Sequence, residues 1–247
     1  MLRGVDIPIK VINLRRSADR RESFQRVNAH LEFEFVEAVD GRELTDAHKR
    51  DPRHFVQPLP FPSSGAYGCA LSHLKLWDRV IAENRPLTIV EDDAVLRRDF
   101  RRESAALIER LPRDWDLVLW GWNFDAIVSL MSLAGVSPAV LMFDQSALRE
   151  NMDAFQAMTG PSYPLGLDRS CGIPAYALSP GGARKFRDQC FPMKNFEMYF
   201  PVMNANLANM GVDMAMARTF SVTNSFVAFP PLAASPNEAR SSTIQSG

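Results

Sequence analysis

The chain has 247 residues, 46% hydrophobic and 23% charged, which is the balance of a soluble globular protein with one sizeable domain. Its net charge of −1 argues against a broad nucleic-acid-binding surface, so no nucleic-acid partner is expected. The cysteines, Cys69, Cys171 and Cys190, are odd in number and widely spaced, which argues against a disulfide framework or a zinc site and favours a reducing compartment.

The first forty residues predict a β-α-β unit. The N-terminus lacks the apolar core of a signal peptide, which predicts a cytoplasmic protein. Residues 9–14, "IKVINL", form an apolar run typical of a buried strand. Helical spacing follows over residues 17–31 with Ser17 as a cap, and residues 33–39 then alternate like a second strand. That strand ends at the turn pair Asp40-Gly41.

The middle of the chain predicts two helices and two buried strands. One helix covers residues 66–84, with Ser63 or Ser64 as its cap, and the other covers residues 99–111. Between them, residues 86–91 ("PLTIVE") read as a strand, and residues 115–122 as another.

The rest of the chain is less regular. Residues 123–169 have no clear period, which predicts loops and short helices. Residues 171–178 resume a strand, and Ser179-Pro180 is typical of a helix start. Residues 230–247 have a loop-like composition.

Strands that alternate with helices predict an α/β fold, a single Rossmann-type domain with a mostly parallel central sheet flanked by helices. Ligands bind beyond the carboxyl ends of such strands. Asn13-Leu14, Asp40-Gly41 and the triplet of residues 91–93 lie at three such ends. A buried carboxylate is costly unless it is paired or bound to a metal, so the triplet is either a solvated turn or a cation site, and its position favours the site.

Several motifs, in order, resemble those of glycosyltransferase family 25. They are "VINLRRSADRR", "GAYGCALSHLKLW", "TIVEDDAVL", "CGIPAYALSPGGARKF" and "GVDMAMARTF". The resemblance is weakest over residues 123–168. It implies a GT-A-like fold and inverting transfer of a hexose, usually galactose, from a UDP-sugar donor to a saccharide acceptor such as a lipopolysaccharide. Members often carry an acidic residue at the position of Ala66, so the departure here puts the identity of the acceptor in doubt.

The resemblance also implies roles for individual residues. Asp93 and Glu91 would hold Mn²⁺ or Mg²⁺, which prefer oxygen ligands and would stabilise the charge of the leaving diphosphate. The predicted nucleotide-sugar-binding residues are Asn13, Leu14, Arg16, Asp40, Ser72, His73, Glu91 and Asp92. Asp213 is the expected catalytic base, with Asp168 as its competitor. His73 could instead be a core histidine satisfied by a neighbour, and Asp40 could shape only its turn.

Two readings of the whole chain compete with a transferase. Acidic clusters at strand ends also serve metal-dependent phosphatases, although those place a nucleophilic aspartate where this chain has Asn13. A nucleotide-sugar-binding protein without turnover is the other. The transferase reading divides one domain of residues 1–247 into a nucleotide-sugar-binding half, residues 1–122, and an acceptor-side half with a C-terminal tail, residues 123–247.

Residues 126–143 are uncharged, and their length touches the lower limit for a membrane span. Three serines, a glycine and Pro138 argue against a span. The segment either packs as a satellite core beneath a long loop or forms a mobile flap that shields the transfer site or leans on a lipid-linked acceptor. The flap reading predicts a protein in peripheral contact with the inner membrane.

Overall fold

The computed structural model describes residues 7–123, 127–133, 135–200 and 204–236. The strands in this part of the chain are β1 (Ile9–Asn13), β2 (Glu34–Glu37), β3 (Leu87–Glu91), β4 (Val95–Leu96), β5 (Leu117–Gly121), β6 (Val128–Leu133), β7 (Ser137–Leu141), β8 (Tyr163–Arg169), β9 (Ala175–Leu178), β10 (Glu197–Phe200), β11 (Ala205–Ala208), β12 (Ser225–Phe229) and β13 (Ala233–Ala234). The helices are α1 (Ala18–Val27), α2 (Asp46–Lys49), α3 (Ser64–Glu83), α4 (Phe100–Ile108), α5 (Gln145–Glu150), α6 (Met152–Ala157), α7 (Pro180–Cys190) and α8 (Val212–Phe220).

Helices cover both faces of one large sheet, so the predicted α/β class is confirmed. On one face, α3, α7 and α8 contribute Trp77, Phe186 and Phe220 to a single hydrophobic cluster. On the other face, α1 and α4 contribute Phe24 and Phe100 to a second cluster. Alternate residues of the buried strand β3 point into the two clusters, as the period of a strand requires.

The sheet is mixed, and the expectation of a mostly parallel sheet is wrong. Its strand order is β2-β1-β3-β9-β5-β12-β8-β6-β7. Within the described residues, only β1–β2, β1–β3 and β5–β12 are parallel neighbours. Strand β9 lies between β3 and β5 and runs antiparallel to both. A strand parallel to β3 would need a crossover connection that returns the chain to the start of β3. Strand β9 instead begins beside the end of β3, where Ala175 pairs with Val90, and therefore runs in the opposite direction.

Residues 123–169 contain three strands, so the prediction of loops and short helices is correct only for α5 and α6. Strands β6 and β7 form a hairpin, and β6 pairs with β8 at the edge of the sheet. The first half of β6, residues 128–130, is buried, whereas the second half, residues 131–133, is exposed. The strand therefore lacks the alternation of buried and exposed residues by which strands are recognised in sequence.

The uncharged hairpin fits neither reading of residues 126–143 as a whole. Val128 and Leu130 belong to the main core rather than to a satellite. Leu133 and Met142 are 59% and 72% exposed. Residues 124–126 and 134 lie outside the described part of the chain. No helix in the described ranges has the length and apolar character needed to cross a membrane.

Two of the predicted capping serines form a capping hydrogen bond, and Ser17 does not. Ser63 caps α3 by accepting a hydrogen bond from the Gly65 amide, and Ser179 caps α7 by accepting one from the Gly182 amide. Ser17 precedes α1 but its side chain makes no capping hydrogen bond. Of the predicted C-terminal loop, residues 233–234 form β13 and pair with β4, and residues 237–247 lie outside the described part.

Candidate active site

A cavity of about 930 Å³ lies at the carboxyl ends of β1 and β3, beside the loop that follows β2. The amino-terminal turns of α3 and α8 and the strand β11 complete its wall. The predicted site residues that line it are Leu14, Arg16, Asp40, Ser72, His73, Glu91, Asp93 and Asp213. The cavity therefore gathers most of the predicted set and draws on both predicted halves of the chain.

The three carboxylates after β3 point in different directions. Asp92 turns towards α1, where its oxygens accept hydrogen bonds from Asn13 Nδ2 at 2.6 Å and Arg20 Nε at 2.8 Å. Glu91 and Asp93 line the cavity. Asp92 and Asn13 thus form part of the support of the site rather than of its wall.

The two carboxylate oxygens of Asp93 lie in different surroundings. Its Oδ2 lies 3.5 Å from Arg20 Nη2, and its Oδ1 is buried without a hydrogen-bond partner in the described part of the chain. Burial, reinforced by the charge of Glu91, raises the pKa of Asp93 to about 6. A buried carboxylate oxygen of this kind, beside a second carboxylate in a cavity, fits the oxygen donors that Mn²⁺ or Mg²⁺ would require.

Arg20 is a site residue that the sequence reading missed. It lines the cavity and pairs with both Asp92 and Asp93. These carboxylates raise the pKa of Arg20 against the opposing effect of burial. The signal was present in the motif "NLRRSADRR", because α1 begins at Ala18 and places Arg20 on its first turn. The sequence alone could not distinguish Arg20 from the neighbouring arginines of that motif.

The loop of residues 38–42 forms another part of the cavity wall. Arg16 Nε donates to Asp40 Oδ2 at 2.6 Å, and the Arg42 amide donates to Asp40 Oδ1 at 3.0 Å. These bonds lower the pKa of Asp40, although burial acts in the opposite direction. Asp40 therefore shapes its turn and holds Arg16 at the cavity.

Ser72 anchors this loop to α3. Its hydroxyl donates to the Gly68 carbonyl at 2.7 Å and accepts from the Val39 amide at 2.8 Å. A Cβ on Gly68 would lie 2.4 Å from the Val39 carbonyl oxygen, so the approach of helix and loop requires glycine there. The contacts give Ser72 a structural part in the cavity wall.

His73 is buried at the floor of the cavity. Its Nδ1 lies 2.8 Å from the Tyr176 hydroxyl, and its Nε2 lies 3.7 Å from Glu91 Oε1. One side-chain donor atom from each of Cys69, His73 and Glu91 lies within 4.8 Å of the others. Burial raises the pKa of the Cys69 thiol well above its usual range, so this thiol stays protonated.

The two predicted candidates for the base occupy different places. Asp213 lies in the first turn of α8, lines the cavity and accepts a hydrogen bond from the Gly172 amide at 3.2 Å. Burial raises the pKa of Asp213. Asp168 lies on β8, where it accepts a bond from Ser129 Oγ at 2.8 Å, and it does not line the cavity. Of these two aspartates, Asp213 is the one that lines the cavity.

The fold and the cavity define an α/β protein whose ligand site, lined by acidic and basic side chains, lies at strand ends of its sheet. Residues 6–203 match the model of glycosyltransferase family 25, described as "LPS biosynthesis protein". The match covers most of the chain, and the protein therefore belongs to glycosyltransferase family 25. Asp213 lies beyond the matched residues, so its assignment depends on geometry.

Relatives are about one third identical to this chain over an aligned stretch of about 130 residues. Mouse procollagen galactosyltransferase 2 is 34% identical over 130 residues, which is 46% of this chain and 20% of that protein. A glycosyltransferase 25 family member from Aedes aegypti is 33% identical over 131 residues, 46% of this chain and 21% of its own length. Xenopus laevis procollagen galactosyltransferase 1-B is 30% identical over 128 residues, which is 45% of this chain and 20% of that protein. The match thus spans about one fifth of each relative.

Proposed function

We propose that the protein is a metal-dependent, inverting glycosyltransferase that transfers a hexose from a UDP-sugar, most directly galactose from UDP-galactose, to a saccharide acceptor. Family membership and the galactosyltransferase relatives support the reaction class. The observation that carries the proposal is the buried Oδ1 of Asp93, which has no hydrogen-bond partner among the described residues and lies in the same large cavity as Glu91. That arrangement costs free energy unless a cation occupies it.

Asp93 and Glu91 are the proposed ligands of Mn²⁺ or Mg²⁺. A bound divalent cation would neutralise the charge that develops on the diphosphate as the sugar leaves. Arg16 and Arg20 flank the same cavity and would bind phosphate or uridine oxygens through forked hydrogen bonds. Asp40 holds Arg16 in this arrangement, and Asp92, which also accepts a hydrogen bond from Asn13, holds Arg20.

Asp213 is the proposed base. An inverting displacement needs a carboxylate that takes the proton from the acceptor hydroxyl as that oxygen attacks the anomeric carbon. The raised pKa of Asp213 makes its carboxylate a stronger base than an ordinary aspartate. The Gly172 amide would hold the Asp213 carboxylate in place by donating to its Oδ2.

The proposed acceptor is a lipopolysaccharide or another surface glycan, which can be linked to a lipid. The family description supports the first, and the galactosyltransferase relatives show that saccharide transfer in this family extends beyond it. The exposed apolar side chains of the β6–β7 hairpin support peripheral contact with a membrane that carries such an acceptor.

Release of UDP from a panel of UDP-hexoses tests the proposal. The wild-type protein is assayed with Mn²⁺, with Mg²⁺ and with EDTA, and the Asp93→Ala variant is assayed beside it. We expect metal-dependent UDP release that EDTA and the variant both abolish, with UDP-galactose as the best donor. Phosphate release from a simple phosphomonoester would favour a phosphatase instead. Binding of UDP-sugar without any release would favour a non-catalytic binding protein.

A further inference from the structure

A row of buried polar side chains connects the hydrophobic core to the cavity. Trp77 Nε1 donates to the Tyr176 hydroxyl at 2.8 Å, and the same hydroxyl lies 2.8 Å from His73 Nδ1. His73 Nε2 faces Glu91 Oε1 across 3.7 Å. Trp77, Tyr176 and His73 are each at most 1% exposed, so bulk water cannot replace a missing hydrogen-bond partner.

The hydrogen-bonding capacities of these groups determine the tautomer of the imidazole. An indole nitrogen only donates, so the Tyr176 oxygen must accept from Trp77. The Tyr176 O–H then needs an acceptor, and within the described residues His73 Nδ1 is the acceptor within reach. Burial raises the pKa of Tyr176 well above its usual value, so the hydroxyl keeps the proton that it donates. His73 Nδ1 is therefore unprotonated, and the ring proton resides on Nε2.

The two other states of the ring conflict with this environment. With the proton on Nδ1, or on both nitrogens, Tyr176 would accept twice and its own O–H would be buried without an acceptor. An unsatisfied buried donor carries the full desolvation penalty of that group. The state with the proton on Nε2 satisfies Trp77, Tyr176 and His73 Nδ1 together.

We propose that Tyr176 and Trp77 are positioning residues that hold His73 as the neutral tautomer protonated on Nε2, so that this N–H is directed at Glu91. The proposal rests on the proposed function only for the consequence in turnover. Its chemical content is a fixed proton position on one nitrogen. The alternative, a histidine that offers Nε2 as a lone-pair ligand, requires the opposite tautomer.

The N–H directed at Glu91 matters because Glu91 and Asp93 are neighbouring carboxylates. Both residues line the cavity, and two ionised carboxylates so close in the chain repel each other. An N–H donor at His73 Nε2 would stabilise the charge of Glu91 and so offset part of this repulsion. At 3.7 Å the contact is longer than a hydrogen bond, and a movement of about 1 Å by Glu91 would complete one. Such contacts often tighten only when substrate is bound.

The same tautomer argues against a softer metal site beside the cavity. Cys69, His73 and Glu91 bring their donor atoms close enough to suggest one. His73 would have to present an unprotonated Nε2, and its contact with the Tyr176 hydroxyl opposes that tautomer. The row of hydrogen bonds instead makes His73 a partner of a metal ligand, which is a known way of orienting such ligands.

Nitrogen-15 NMR of histidine-labelled protein, without metal or donor, reads the tautomer directly. The chain has four histidines, and a His73→Gln variant identifies the His73 signals. We expect an unprotonated Nδ1 and a protonated Nε2 in the wild type, and a change in the Nε2–H signal in Glu91→Gln. Tyr176→Phe should convert the spectrum to a mixture of tautomers. Leu178→Ala, a change on the same buried strand, is the matched control and should keep the wild-type tautomer.

Turnover supplies the second readout. Tyr176→Phe should raise the Mn²⁺ concentration for half-maximal UDP release by about 10- to 100-fold, the range seen when partners of metal ligands are removed. Leu178→Ala should lower stability without moving this concentration. The predicted tautomer without any UDP release would overturn the proposed function and leave this inference standing.

Two results would overturn the inference. One is a wild-type His73 protonated on Nδ1 or on both nitrogens, which the wild-type spectrum reveals even if Tyr176→Phe does not fold. The other is a folded Tyr176→Phe variant that keeps both the wild-type tautomer and the wild-type Mn²⁺ dependence.

Discussion

The side-chain amide of Asn13 donates to Asp92 Oδ2 at 2.6 Å, so the last residue of β1 holds the middle carboxylate of the triplet that follows β3. Arg20 binds the other oxygen of the same carboxylate. Adjacent parallel strands bring these residues together from positions 79 apart in the chain. With Asp92 paired in this way, Glu91 and Asp93 are left to face the cavity.

Asn13→Ala is expected to lower the free energy of unfolding by about 1–3 kcal/mol, because it leaves the poorly exposed carboxylate of Asp92 with fewer donors. Urea denaturation measures the change. Asn151→Ala is the control, since the side-chain amide of Asn151 donates to the Ala147 carbonyl at an exposed position. Equal stability of the two variants would contradict a supporting part for Asn13.

The pKa of Asp93 predicts an unusual dependence of stability on pH. The folded-state value of about 6 is raised above the ordinary 3.8, so this group favours folding below about pH 4, and that contribution is lost as pH rises to about 6. In EDTA at about pH 7.5, Asp93→Asn should therefore increase the free energy of unfolding by up to about 3 kcal/mol, less the lost attraction to Arg20.

Urea denaturation of wild type and Asp93→Asn at about pH 5 and pH 7.5 tests this dependence. The advantage of the variant should be larger at the higher pH. Addition of Mn²⁺ should stabilise the wild type and leave the variant unchanged. A variant that is less stable than wild type in EDTA at the higher pH would show that the Asp93 charge is already compensated within the protein.

The choice of base predicts that two aspartates differ in their effect on turnover. Asp213→Asn should lower transfer at saturating substrates by about 100-fold or more, because an asparagine cannot take the proton from the hydroxyl of the acceptor saccharide. Asp168→Asn should leave turnover near wild type, since an asparagine oxygen can still accept from Ser129. The pKa of Asp213 is raised, so wild-type transfer should fall as pH decreases and the Asp213 carboxylate gains a proton. The opposite ranking of the two variants would assign the base to Asp168.

The β6–β7 hairpin predicts a separation of folding from acceptor use. Leu133 and Met142 are exposed, so Leu133→Asp with Met142→Asp should give a folded protein with wild-type UDP release. If the hairpin contacts a lipid-linked acceptor, transfer to that acceptor should fall in the double variant. Leu130→Asp is the contrast, because Leu130 is 5% exposed and a buried charge there should leave the protein insoluble. Unchanged transfer by the double variant would exclude acceptor contact.

The positions of the strand-end residues could be predicted from sequence because each depends on local pattern. The apolar run that ends at Glu91 identifies β3 and places the triplet at its end. The turn at Asp40-Gly41 and the polar end of β1 have equally local signals. These three local signals together predict the edge of the sheet at which the cavity lies.

Other features depend on contacts between distant parts of the chain. Trp77 and Tyr176 are 99 residues apart, and nothing near either residue indicates that they share a hydrogen bond. The direction of β9 depends on which neighbours it joins, because periodicity identifies a strand but not the direction of its partners. The hairpin escaped prediction because β6 is buried along half its length and exposed along the other half.

A crystal structure with UDP and Mn²⁺, with anomalous diffraction data that locate the manganese, tests the central claim most directly. The account predicts an anomalous peak within coordinating distance of Asp93, at about 2.1–2.4 Å, with the diphosphate in the cavity beside Arg16 and Arg20. Asp93→Asn crystals treated alike should lose the peak. Manganese bound away from Asp93, or UDP bound in the cavity without any metal beside Asp93, would contradict the account.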